Sequence, residues 1–138
     1  MQDRYLFKAK RKDDGEWVFG GLSYCDKTGA YFITNMGKDH ISYIGFHQEV
    51  DSNTICQCTG LKDKNGKLIW ENDIVAYWDS YSTESGLAEA DCIGKVIWDD
   101  ETISFQVTNR LSAESYEVLG DECSVIGNVF DNPELLEE

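Results

Sequence analysis

The sequence is poor in proline, cations and long apolar runs. Pro133 is the one proline among 138 residues. No apolar run approaches the roughly 18 residues that would cross a bilayer, so no membrane helix is expected. The first dozen residues are charged and no apolar core follows them, so no secretory signal is expected. Lys and Arg number 12 against 26 Asp and Glu, giving a formal net charge of −14. That charge repels phosphates and anionic membranes, so nucleic acid and membrane partners are not expected. It favours solubility and permits docking to a basic protein. The five cysteines, Cys25, Cys56, Cys58, Cys92 and Cys123, are odd in number and irregular in spacing. They read as reduced thiols of a cytoplasmic protein, with no disulfide framework. No phosphate-binding loop is present, because Gly20-Gly21 lacks the Lys-Ser/Thr pair and the following helix.

Strand signals are plentiful. At this length a single domain, 1–138, is the default, large enough to fold without a staple. Aromatic and β-branched residues abound, and the 12 glycines fall mostly between apolar runs. The most informative stretch runs from Thr59 to Val75. Gly60 opens it. Asn65-Gly66 is a favoured type I′ pair, which requires positive φ at both central residues. Leu68-Ile69-Trp70 then enters an extended run, which Asn72-Asp73 breaks before Ile74 to Trp78 resumes. Asparagine tolerates the left-handed region best after glycine, so Asn72 is predicted to have positive φ in a tight bend.

Three blocks carry a family resemblance. The run Thr-Gly-Leu-Lys-Asp-Lys-Asn-Gly-Lys (59–67), followed by Ile-Trp-Glu-Asn-Asp-Ile-Val (69–75), resembles the signature of the YopX-like family of phage and prophage proteins. Gly15 to Gly20 resembles that family's N-terminal segment. Ile126-Gly127-Asn128-Val129-Phe130-Asp131-Asn132-Pro133-Glu134-Leu135 resembles its C-terminal one. The family usually has glycine where this chain has Asn72, a departure that a positive φ would accommodate. The resemblance implies a phage-encoded intracellular protein that forms oligomers. It implies no activity and brings no catalytic residues.

Taken in order, Tyr5–Lys10 and Trp17–Leu22 read as a hairpin around Asp13-Asp14-Gly15, with Gly20-Gly21 marking a bulge or strand end. Tyr31–Thr34 and Ile41–Ile44 are short strand candidates around a turn at Met36–Asp39. Asp79–Asp91 is polar and aperiodic and reads as a long loop. Gly94–Trp98 and Ile103–Val107 flank Asp99–Thr102 as a hairpin, with Ile103, Phe105 and Val107 on one face. Leu111–Leu119 reads as a short helix or irregular chain, and Cys123–Phe130 as the closing strand. Asn132-Pro133 reads as the start of a short C-terminal helix, with asparagine as its cap. The expected fold is mainly β: a small antiparallel barrel or two packed sheets, with a short C-terminal helical segment.

Reacting constellations are weak. Cys56-x-Cys58 with His40 and His47 lacks the Cys-x2-4-Cys spacing and second pair typical of zinc, and reads as small buried hydrophobes. No cysteine precedes a helix in the way a nucleophile needs. Adjacent carboxylates such as Asp99-Asp100 are uninformative among so many acids. No metal, cofactor or catalytic residue is expected, and the protein reads as a non-enzyme. Trp70, Tyr77, Trp78, Tyr81 and Trp98 are the candidate contact residues, facing a sister subunit or partner. Gly60, Asn65, Gly66, Asn72, Asp73, Gly127, Asn128 and Pro133 are the candidate structural residues. Charge is uneven: Arg4, Lys8, Lys10, Arg11 and Lys12 make the beginning basic, whereas from Asp99 onward only Arg110 offsets eleven carboxylates. The leading functional expectation is a homo-oligomeric protein-binding accessory protein in the host cytoplasm. The alternatives are an acidic mimic of DNA that decoys a host defence protein, or a nucleotide-sequestering binder using Arg4, Lys8 and Arg11.

Overall fold

The computed structural model describes residues 5–34, 47–108, 115–118 and 120–137. The chain groups into two compact units, Met1–Gly60 and Leu61–Glu138. The first contains β1 (Phe7–Lys10), β2 (Trp17–Cys25), β3 (Ala30–Thr34), β4 (His47–Val50) and the start of β5 (Cys56–Lys62). Their order is β4-β3-β2-β1-β5, and the registered pairs are antiparallel. Alternation sends Ala9, Val18, Ile33 and Val50 into one core, with Phe7, Leu22, Tyr31 and Ile55 against it. Gly15, at φ 74°, closes the first hairpin by donating its N–H to the Arg11 carbonyl. Asp51 caps a 3-10 turn at Ser52–Thr54, and the Thr54 hydroxyl accepts from the Lys10 N–H at 2.9 Å.

The second unit adds β6 (Leu68–Trp70), β7 (Asp73–Thr83), β8 (Gly86–Asp99), β9 (Ser104–Thr108), β10 (Ser115–Glu117) and β11 (Cys123–Asn128). Strand β6 neighbours β5, and the other five form an antiparallel sheet in the order β10-β9-β8-β7-β11. One core gathers Ile69, Val75, Val96, Val107, Val118 and Cys123, with Tyr77, Phe105 and Val125 packed on it. Gly94 is required where β8 meets β9: a Cβ there would lie 1.9 Å from the Thr108 carbonyl oxygen.

The mainly β expectation holds, and several finer ones change. Among the described residues neither sheet closes into a barrel. The C-terminal segment is a single 3-10 turn, Pro133–Leu136, and not an α-helix. Asn132 makes no capping bond there; its side-chain oxygen instead accepts from the Asn128 N–H at 3.2 Å. Asp79–Asp91 is not a loop, because β7 and β8 pair from Ile74↔Lys95 out to Thr83↔Gly86. A hairpin ladder is made by the backbone, so it continues into polar sequence where no apolar alternation announces it. Leu111–Leu119 contains strand β10, which pairs with β9. Ile103 is a turn residue with φ 52°, outside the β9 face. The closing strand ends at Asn128, two residues before Phe130. Ile41–Ile44 and the Met36–Asp39 turn lie outside the described residues. Among the described residues, no helix is long and apolar enough to cross a membrane.

Candidate functional site

The Thr59–Val75 stretch forms a hub whose centre is Asp63, 5% exposed. Its Oδ1 accepts from the N–H groups of Asn65 and Lys67, both at 2.9 Å, and its Oδ2 from the Val125 N–H at 2.9 Å. Burial by itself raises the carboxyl's pKa. The N–H groups of Val125, Lys67 and Asn65, with the Lys67 charge, outweigh it and hold the pKa below its ordinary value. The local turn differs from type I′, since only Gly66 of the pair has positive φ (83°). Gly66 donates to the Asp63 carbonyl and Asp63 to the Lys67 carbonyl. This is a type I turn closed by a left-handed glycine, a common three-residue hairpin loop. Asp63 and Lys64 also cover the outer edge of β11, because the Lys64 N–H donates to the Cys123 carbonyl at 3.0 Å.

Asn72 has φ 71°, as expected, and stitches three pieces together. Its N–H donates to the Val96 carbonyl at 2.8 Å, and its carbonyl accepts from the Val129 N–H at 3.0 Å. Asp73, 3% exposed, accepts from the Trp70 N–H at 2.8 Å. The remaining structural candidates sit at similar joints. Gly60 has φ 81° within β5. The exposed Asn65 side chain donates to the Ser124 hydroxyl at 3.3 Å. Gly127 follows the β11 bulge, where a Cβ would meet the Asn132 side chain at 2.6 Å. The Asn128 side chain accepts from the N–H groups of Phe130 and Asp131, and Pro133 opens the 3-10 turn.

The candidate aromatics do not form one platform. Trp70 is buried. Tyr77 lies on the core face and donates its hydroxyl to the Thr108 carbonyl at 3.1 Å. Trp78, next along β7, projects from the opposite face and is 58% exposed. Trp98, 42% exposed, stands edge-on to Phe105 at 5.1 Å, and its indole donates to Asp100 at 2.9 Å. The Tyr81 side chain lies outside the described residues. Sequence reasoning missed two residues. Asp63 was legible as the Asp of an Asp-x-x-Gly turn. Ile103, 74% exposed at positive φ, had no signal.

The basic beginning is divided. The Lys8 and Lys10 ammoniums lie 4.6 and 5.4 Å from the Trp17 ring centroid. Arg11 pairs with Asp14 and bonds Gln48 at 3.0 Å, beside a shallow cleft of about 390 Å³ lined by Arg11, Lys12, Asp13, Gln48 and Glu49. The Arg11 guanidinium, followed by the Glu16 N–H, holds the Asp14 carboxyl down at about 2. Lys8 and Arg11 thus serve different neighbours, and Arg4 lies outside the described residues.

Cys56 and Cys58 are buried, and the Cys56 thiol donates to the Thr54 carbonyl at 3.3 Å. His40 and the His47 side chain lie outside the described residues. Among the described residues, no group of three or more His, Cys, Asp or Glu is placed to hold a metal. Burial, followed by the charges of Asp63, Asp121 and Asp73, pushes the Cys123 thiol up to about 11. Half-buried Cys25 is shifted the other way by the Thr28 hydroxyl and then by the N–H groups of Thr28 and Lys27.

Fold and hub define a class: a two-sheet β protein built on backbone-bonded Asp and Asn joints, with separate aromatics exposed. The YopX protein family model matches residues 6–137, and the chain belongs to that family. No curated protein matches the chain.

Proposed function

We propose that this protein is a non-enzymatic phage or prophage accessory protein that acts by protein–protein contact and self-associates in the host cytoplasm. Family membership supports the phage-type accessory role. The observation that carries the contact role is the exposure of Trp78 at 58% and Trp98 at 42%, on opposite faces of the second sheet. Tryptophan is enriched in interface cores, and two outward indoles on one small sheet suit contact with another protein. Backbone edges are less suited to it. Strand β11 is covered by Asp63 and Lys64, and β10 at the other edge is three residues long. The contact is therefore made by side chains, and Asp99, Asp100 and Glu101 require a basic counterpart.

Light scattering across a salt series tests this reading. Self-association that weakens as salt rises is expected, because exposed charge pairs are screened. A monomer at every salt, up to tens of micromolar (roughly the range of weak assemblies), would overturn it.

A further inference from the structure

The turn at the centre of the hub carries the one Asn-Gly pair of the chain, Asn65-Gly66. Such a pair is labile in water. The glycine nitrogen can attack the asparagine side-chain carbon, because glycine has no Cβ to obstruct the approach. Access is open here: both residues are exposed, and a Cβ at Gly66 would meet nothing within 4 Å.

The turn nevertheless holds the reacting groups. The Gly66 N–H donates to the Asp63 carbonyl at 3.0 Å, so its proton is engaged. The Asn65 side-chain amide donates to the Ser124 hydroxyl at 3.3 Å. On either side, the N–H groups of Asn65 and Lys67 are fixed on Asp63 Oδ1, both at 2.9 Å. Attack requires the Gly66 nitrogen to lose its proton and turn towards Asn65 Cγ. The turn must open locally before that can happen. The Asp63 carboxylate therefore also sets how often the labile pair is free to react.

We propose that Asn65 is a self-modification site, held latent by the Asp63 turn and released when that turn opens. The Gly66 nitrogen gives its proton to hydroxide and bonds Asn65 Cγ. The Cγ–Nδ2 bond breaks, and Nδ2 leaves as ammonia with a proton taken from water. Water then opens the resulting cyclic imide at one of its two carbonyls. Opening at Cγ gives aspartate. Opening at the main-chain carbonyl gives isoaspartate, whose chain runs through Cβ and Cγ. Water is the co-reactant, and nothing is oxidised or reduced. Either product adds a carboxylate beside Asp63 to a chain already at −14. Isoaspartate also lengthens the main chain between the Asn65 and Lys67 N–H groups, which share one Asp63 oxygen. The turn then cannot reclose in its original register, so a passing opening becomes a lasting one. This inference is independent of the self-association proposed above.

The experiment incubates the full chain at mildly alkaline pH and follows Asn65 by mass spectrometry of the fragment Val50–Glu71, cut at the glutamates. Exposed Asn53, followed by β-branched Thr54, lies in the same fragment and is the internal reference. Native wild type, native Asp63→Asn and wild type unfolded in guanidinium chloride are compared. In the unfolded chain Asn65 should convert well ahead of Asn53, and native wild type should convert at Asn65 about tenfold more slowly or less. Asp63→Asn, folded by circular dichroism, should convert about tenfold faster than native wild type, as an opening made easier by ~1.4 kcal/mol supplies. Fragment sequencing separates its introduced amide from Asn65. The isoaspartate form, isolated by anion exchange, should melt below unmodified protein. Equal rates in native and unfolded wild type would overturn the proposal, and this comparison decides it if Asp63→Asn does not fold. A folded Asp63→Asn converting at the wild-type rate would also overturn it, as would an isoaspartate form that melts with the unmodified protein.

Discussion

Removing the Asp63 carboxylate tests whether the central hub holds the second unit together. In Asp63→Ala, the N–H groups of Asn65, Lys67 and Val125 all lose their acceptor. Hydrogen bonds to a charged group contribute about 1.5–3 kcal/mol each. The lower end applies here, because the Asn65 and Lys67 donors lie in a partly exposed turn. The expected loss is therefore roughly 4 kcal/mol, a large share of the ~5–15 kcal/mol by which a domain is stable. Asp63→Asn is the finer probe. Its one oxygen can keep the two turn donors, but its amide then faces the Val125 N–H, donor against donor. A loss of roughly 2–3 kcal/mol is expected. Urea denaturation followed by tryptophan fluorescence measures it, since Trp70, Trp78 and Trp98 all lie in this unit. The pH dependence has a definite sign. The folded-state pKa is lowered, so the carboxylate's contribution is complete above the unfolded value of about 3.9. It is lost as pH falls through the folded value, and the gap between wild type and Asp63→Asn should shrink there. If Asp63→Asn stayed within about 0.5 kcal/mol of wild type at pH 7, the ordinary range of surface changes, the hub would be refuted.

At Asn72, with φ 71°, Gly should be neutral or stabilising. Asn72→Val should lose about 1–2 kcal/mol in the same urea assay, and equal stability of the two variants would sink the bend. Thiol labelling of the native protein near pH 8 should modify half-buried Cys25 first. Cys123, pushed up to about 11, should react only on unfolding, so simultaneous labelling would contradict the assigned environments.

Much of the joint chemistry is readable from residue types alone. Positive φ at Asn72 follows from a left-handed-tolerant residue between two extended runs. The misreadings share a cause. Asp79–Asp91 resembles a loop because pattern reading detects burial, whereas the β7–β8 ribbon is specified by backbone pairing. Asn132-Pro133 carries a helix-start signal, but four residues of 3-10 turn exhaust it, and the Asn132 side chain is taken up by the Asn128 N–H. The candidate aromatics are divided by the fold: alternation along β7 separates neighbouring Tyr77 and Trp78 to opposite faces, and Trp70 goes to the interior.

The sequence by itself determined the mainly β class, the family and the bends at Gly66 and Asn72. These depend on local preferences: alternation for strands, left-handed tolerance at glycine and asparagine, and short motifs read in order. Only the tertiary structure decided which side chains meet. That the Asp63 carboxylate serves Val125, 62 residues away, depends on which strand lies beside the turn. That Ile103 turns out to solvent while Val107 goes in depends on where the β8–β9 register ends, at Asp99↔Ser104. Strand neighbours and register are set by the summed packing of distant segments, which no local window of sequence contains.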